Sequence, residues 1–159
     1  MHKVLLKILF LIPVIGYAND PFEEINREVW TFNEGVDNRI ARPVAEFYDD
    51  VIPIPVQSSI TNFFSNLDEI DNSINQLLQG KPVAAGNDFA RFLVNTTFGF
   101  LGFFDVASIM GLEEHDEDFG QTLGVWGVPT GPYLMLPFYG PSSPRDLIGR
   151  PISGVLSGT

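Results

Sequence analysis

The chain has 159 residues, 45% of them apolar including 14 Phe, no Cys, and a formal net charge of −11 at pH 7. A surface this acidic repels polyanions at long range, which excludes DNA and RNA as partners. The missing Cys excludes disulfides, thiolate metal sites and Cys nucleophiles, and the apolar content excludes disorder driven by charge.

The first 18 residues read as a secretory signal. Lys3 and Lys7 form a positive start, Ile8 to Ile15 a short apolar core, and Gly16-Tyr17-Ala18 a small-x-small cleavage site. Eight apolar residues are too few to span a bilayer. Cleavage after Ala18 would leave residues 19–159, with 7 basic and 20 acidic residues and a net charge of −13.

Asp20-Pro21 with Glu23 resembles a capping box that opens a helix over Pro21 to Val36. Phe22, Ile25, Val29, Phe32 and Val36 fall on one side of it, and the pattern predicts a stripe facing the core. Gly35 and Asp37-Asn38 predict a break, and a second helix follows from about Asp37 to Tyr48, kinked or restarted at Pro43. Pro53 and Pro55 predict an extended connector.

From Val56 to Gly80 the period is helical again, through Ile60, Phe63, Phe64, Leu67, Ile70, Ile74, Leu77 and Leu78, with Gly80 as C-cap. Its polar residues Asp68, Glu69, Asp71, Asn72, Asn75 and Gln76 read as a solvated face, since the spacing matches no calcium loop. A helix from Pro82 to Thr97 leads into the most hydrophobic window, Phe92 to Leu112. That window is long enough to span a membrane. Asp105, the polar run Asn95-Thr96-Thr97 and the glycines at 99, 102 and 111 favour instead a helix-break-helix wedge lying in or against one leaflet. Residues 113–118 (Glu-Glu-His-Asp-Glu-Asp) read as a solvated acidic loop rather than a metal site.

Between Asp118 and Asp146, glycines and prolines alternate with large apolar residues, which forbids a long regular helix and requires an apolar neighbour. Ser142-Ser143-Pro144 then caps a last helix that Pro151 and Gly154 are expected to interrupt. His115 is the only His after the signal, and no Gly-x-Ser-x-Gly elbow exists, so the sequence does not read as a hydrolase.

These blocks resemble the MlaA (VacJ) family of outer-membrane phospholipid-transport proteins. The resemblance runs through Asp20 to Arg27 (DPFEEINR), Arg42 to Ala45, Phe63 to Glu69, Asn75 to Gly80, Arg91 to Gly99 and Asp105 to Ala107. Its most specific parts are Asp118 to Tyr133 (DFGQTLGVWGVPTGPY) and Leu136 to Asp146. The resemblance implies a mainly α protein, a ring-like bundle of amphipathic helices with a Gly/Pro-rich hairpin, lying in the inner leaflet of the outer membrane. It implies a channel that removes mislocalised phospholipid from the outer leaflet and passes it to a periplasmic MlaC-like carrier, beside an outer-membrane porin trimer. No enzyme activity, cofactor or metal is implied. Phe119, Gly120, Gly124, Trp126, Gly131, Pro132 and Tyr133 would line or gate the path as the hairpin. Phe98, Phe100, Leu101, Phe103 and Phe104 would face the membrane. The chain departs from the family in two ways: Tyr17-Ala18-Asn19 offers no lipidated Cys, which implies attachment without a lipid anchor, and the family continues past the Arg145-Asp146 block, so residues 19–159 read as a C-terminally incomplete domain. The alternative reading is a porin-associated scaffold with no lipid path of its own.

Overall fold

Asp20 accepts from the Phe22 N–H (2.9 Å) and starts helix α1 (Glu23–Val36) in a computed structural model that describes residues 20–157. The predicted signal lies outside the described residues. The expected break after α1 is instead a widened, π-helical turn over Asp37–Ala41, which leads without interruption into α2 (Arg42–Val51). Pro43 explains the widening. It has no N–H to donate and its ring crowds the preceding turn, so the chain gains room by hydrogen bonding across five residues, Arg42 N–H to Asp37 O.

Ile52 and Pro53 are the whole extended connector, and Pro55 sits within the first turn of α3 (Ile54–Leu78), where its missing N–H costs nothing. Gly80, at φ +78°, turns the chain back into α4 (Pro82–Thr97), which packs antiparallel along α3. The apolar window then bends. Phe100, Leu101 and Gly102 all have positive φ (52°, 59° and 94°), and the one-turn helix α5 (Val106–Ile109) follows, capped by the Asp105 carboxylate. Two non-glycine residues in the left-handed region cost about 1–2 kcal/mol each. Gly102 cannot be replaced cheaply, because a Cβ there would come within 2.7 Å of the Asn66 side chain on α3. Among the described residues no helix is long and apolar enough to cross a membrane.

Asp118 caps α6 (Phe119–Val125) through the Gln121 N–H (2.6 Å). An irregular stretch then leads to an antiparallel hairpin, β1 (Leu134–Leu136) on β2 (Gly140–Ser142), with Leu134 opposite Ser142 and Leu136 opposite Gly140. The last helix, α7 (Pro144–Ser157), packs on α6 and runs through Pro151 where the sequence pattern predicted an interruption. The mainly α class predicted from the sequence is the observed one.

What separates this fold from an ordinary helical domain is which residues are inside. Among the described residues the fully buried apolar side chains are Ala85 and Ala107, whereas fourteen polar or charged residues are buried. Large apolar residues lie outside on every helix. The stripe of α1 expected to face the core does not: Phe22, Ile25 and Phe32 are exposed, and the buried residue of that helix is Asn26.

Candidate functional site

The interior between α3 and α4 is built from hydrogen bonds. On α3, Asn66, Glu69, Ser73 and Gln76 recur at helical spacing, and Ala85, Asp88, Arg91 and Asn95 do so on α4. Gln76 donates to Asp88 Oδ2 (2.7 Å), Ser73 to the Ala85 carbonyl (3.0 Å), and Asn66 to Thr96 Oγ1 (2.9 Å). Arg91 Nε donates to Glu69 Oε1, and both side chains are almost wholly buried, 2% and 1% exposed. The solvated face expected over residues 68–76 is therefore corrected. Glu69, Asp71, Asn72, Asn75 and Gln76 are buried, and of the six only Asp68 is exposed. The physical reason is the partner helix: α4 offers the complementary donors and acceptors that water would otherwise supply.

Arg91 also holds the wedge. Its Nη1 donates to the Leu112 carbonyl (2.8 Å) and to Ser108 Oγ (3.1 Å), and its Nη2 lies 3.4 Å from both Asp105 oxygens. Asn95 completes the clamp, donating to Asp105 Oδ1 (3.1 Å) and accepting from the Ala107 N–H (2.8 Å). Burial pushes Glu69 up to about 7, against the pull of Arg91. For Asp105, burial is outweighed by hydrogen bonds from Ser108 and Asn95 and by the Arg91 charge, so its carboxyl is held below the usual range. Arg91 is held above its ordinary value because Glu69, Asp105 and Glu114 overcome the effect of burial.

With its polar groups pinned inward, the wedge turns its aromatic residues out. Phe98, Phe100, Leu101 and Phe104 are all at least 60% exposed. Phe103 is the exception: it is half-buried and stacked on Phe63, with ring centroids 5.2 Å apart.

The residues expected to form one hairpin are spread over three pieces. Phe119, Gly120 and Gly124 lie on α6, where the glycines serve close packing against α7. A Cβ on Gly124 would meet the Arg145 guanidinium at 2.8 Å, and Gly149 of α7 lies against the Gly120 backbone. Trp126, just after α6, is exposed, stands edge-on to Phe119 at 6.0 Å and donates its indole N–H to the Leu78 carbonyl (3.0 Å). Gly131, Pro132 and Tyr133 form the exposed approach to β1. Gly131 is held at φ +82° with Pro144 within 2.9 Å of where a Cβ would stand.

Sequence reasoning missed what holds the hairpin. Asn26 Nδ2 donates to the Tyr133 carbonyl (3.1 Å) and Oδ1 accepts from the Met135 N–H (2.7 Å). Two turns along, Asn33 Nδ2 donates to the Leu136 carbonyl (2.9 Å) and Oδ1 accepts from the Phe138 N–H (2.8 Å). Two side-chain amides thus act as the neighbouring strand of β1, and Phe32 supports them edge-on to Phe138 at 5.2 Å. The signal in the sequence was two asparagines seven residues apart on an otherwise apolar face, next to a stretch rich in Gly and Pro.

The acidic loop is solvated in part. Glu113, Glu114, Asp116 and Asp118 are exposed, while Glu117 pairs with Lys81 (2.7 Å) and the His115 Nδ1–H donates to the fully buried Asp88 (2.6 Å).

A family model for the MlaA lipoprotein matches residues 18–158. The intermembrane phospholipid transport system lipoprotein MlaA of Haemophilus influenzae is 40% identical over 138 residues, covering 85% of this chain and 55% of the relative. The MlaA of Escherichia coli is 42% identical over 134 residues, covering 80% and 53%. An uncharacterized protein of Rickettsia conorii is 41% identical over 128 residues, covering 80% and 51%. A chain solved in work on the structural basis for maintenance of bacterial outer membrane lipid asymmetry superposes with a TM-score of 0.74 at 42% identity, over 80% of this chain and 66% of that one. The chain spans about half the length of the relatives it matches. By both sequence and fold, it belongs to the MlaA lipoprotein family.

Proposed function

We propose that this chain is the outer-membrane part of a phospholipid-transport route, holding a path by which lipid leaves the outer membrane for a soluble periplasmic carrier. The observation that carries the reading is the inverted distribution of polarity: fourteen buried polar residues inside, with Phe, Leu, Ile, Val and Trp outside on every helix. In water this surface would be a severe aggregation liability. Against acyl chains it is the favourable arrangement, since each apolar side chain kept in lipid avoids about 1.5–3 kcal/mol of hydration cost. The exposed residues of the wedge, Phe98, Phe100, Leu101 and Phe104, supply the membrane contact in this reading, and a helix that stops at Thr97 suits one leaflet better than a crossing of two.

The same reading gives the Gly131-Pro132-Tyr133 approach and the hairpin the part of a movable wall, attached to α1 through Asn26 and Asn33 and to α7 through Arg150, which reaches the Pro141 carbonyl and the Tyr139 ring. A porin trimer and an MlaC-like carrier are its partners in this proposal, and localisation is the periplasmic face of the outer membrane. The family relationship to intermembrane phospholipid transport lipoproteins supports it.

The test is lipid content. Protein purified in mild detergent is extracted and its phospholipid is quantified by mass spectrometry against protein. Phospholipid at about one per chain is the expected result. Well-folded protein without phospholipid would leave the porin-bound scaffold as the better account.

A further inference from the structure

The geometry points to a headgroup site at the N-terminal end of α4, selective for phospholipids whose headgroup is a zwitterionic aminoalkyl phosphate. This inference rests on the lipid-path reading and adds to it which lipid is preferred. The first turn of α4 and the segment 111–115 enclose a cleft of about 580 Å³ lined by Lys81, Pro82, Val83, Asn87, Glu113 and His115. Asn87 fixes its width, donating to the Glu113 carbonyl (2.5 Å).

The polar groups around the cleft are of both signs. His115 is held by Asp88, which is itself fully buried and held by Gln76, so the imidazole is oriented from behind and its Nε2 has no partner among the described residues. Lys81 is half-exposed and uses one of its three N–H groups on Glu117. Glu113 is exposed, and its carboxylate has no ion-pair partner among the described residues. Lys81, with two N–H groups to spare, suits a phosphoryl group, and the His115 Nε2, an acceptor while Nδ1 carries the ring proton, can accept from an ammonium. A carboxylate beside them suits an ammonium group two carbons away.

Charge then decides between headgroups. The rim carries Glu113, Glu114 and Asp116, all exposed, against one lysine that is already paired. A headgroup with net negative charge adds repulsion at this rim, while a zwitterion brings the cation that Glu113 lacks.

The surroundings repeat the polarity of the ligand. From the cleft, Pro82, Gly86, Phe89 and Leu93 run as an exposed stripe along α4 and lead to Phe98 and Phe100. The 16 residues of α4 measure about 24 Å, enough for acyl chains to extend along it through the depth of one leaflet, about 15 Å. A polar mouth at one end and an aromatic wedge at the other match a lipid lying head to tail on this helix.

The experiment offers the purified full chain in detergent an equal mixture of phosphatidylethanolamine and phosphatidylglycerol with identical acyl chains, and measures the retained ratio by native mass spectrometry. Ethanolamine lipid is expected in excess by about tenfold, the worth of one charge-assisted hydrogen bond. Glu113→Gln is expected to bring the ratio close to one, and Lys81→Gln to reduce retention of both lipids. Equal retention by the unaltered chain overturns the headgroup site and leaves the lipid path standing, whereas no retention of either lipid overturns the path itself. A second arm needs no variant: the His115 ring proton resonances are followed by NMR as soluble glycerophosphoethanolamine or inorganic phosphate is added. A saturable shift with glycerophosphoethanolamine alone supports the site. An equal shift with inorganic phosphate makes it a general anion site and overturns the selectivity, as does an ethanolamine preference that Glu113→Gln leaves unchanged.

Discussion

The α3–α4 pair and the arm made of α1, the π turn and α2 have the same kind of sequence, apolar residues at helical spacing opposite polar ones. They are held by different means. In the pair the polar faces meet, and Glu69, Gln76, Asp88, Arg91 and Asn95 lock to one another out of water. Along the arm polar and apolar residues alike are exposed from Asp37 through Val51, and the chief packing of α2 among the described residues is on the π turn. The difference teaches that amphipathicity fixes a division between two faces but not which face is inside. For the pair, a polar partner made the polar face the interior. For the arm, Asn26 and Asn33 provide the attachment, and most of its large apolar residues remain exposed.

Breaking the centre of the pair gives the largest effect. Arg91→Met leaves the buried Glu69 and the partly exposed Asp105 without their cation, and a loss of about 3–5 kcal/mol in unfolding free energy is expected by denaturant titration in detergent. Glu69→Gln in the same chain should restore part of it. The arm supplies the contrast: Asn26→Ala removes two bonds to the hairpin and should weaken its local closure by about 1–3 kcal/mol, read as faster hydrogen exchange at the Met135 amide, with the unfolding midpoint of the pair unchanged.

A smaller effect separates the regions by pH. Glu69 titrates near 7 in the folded chain and near 4.5 unfolded, so the folded state binds the extra proton between those values. Its contribution to stability is complete below about 4.5 and is lost as the pH rises to about 7. Asp105, held low, acts in the opposite sense and loses its contribution only as the pH falls below the normal aspartate range. Glu69→Gln should therefore flatten the decline in stability between pH 4.5 and 7, measured as unfolding midpoints across that window. Least disruptive to folding is Phe47→Ser on the exposed arm, expected to change stability by no more than about 0.5 kcal/mol while lowering partition onto phospholipid vesicles by about tenfold.

The helices themselves were legible. The period through Val56 to Leu78 and the Pro82 and Gly80 punctuation located α3 and α4 within two residues, because helix propensity and proline geometry act locally. Burial was not legible by the usual rule, which assumes water on the outside. What could have revealed it is the chemistry of the polar face of α3. Asn62, Asn66, Asn72, Asn75, Gln76 and Gln79 are amides that donate and accept at once, suited to a closed network, where a solvated face more often carries Lys and Glu. The hairpin was implied by the family resemblance and not by the residue pattern, because Leu134–Leu136 is too short to show alternation and its partner strand contains Pro141. The course of α7 through Pro151 was missed because packing on α6 overrode a local penalty.

The asparagine attachment has a metric consequence. Seven residues of helix advance about 10.5 Å, and the three-residue offset between the two bonded stretches of the hairpin advances about 10 Å. Helix and strand, whose repeats differ, are thus commensurate over this one interval, as two scales of a vernier coincide at one mark. Sliding the hairpin by a single residue, about 3.4 Å, takes both asparagines out of reach together. The hairpin therefore has one register on α1 that satisfies both asparagines at once.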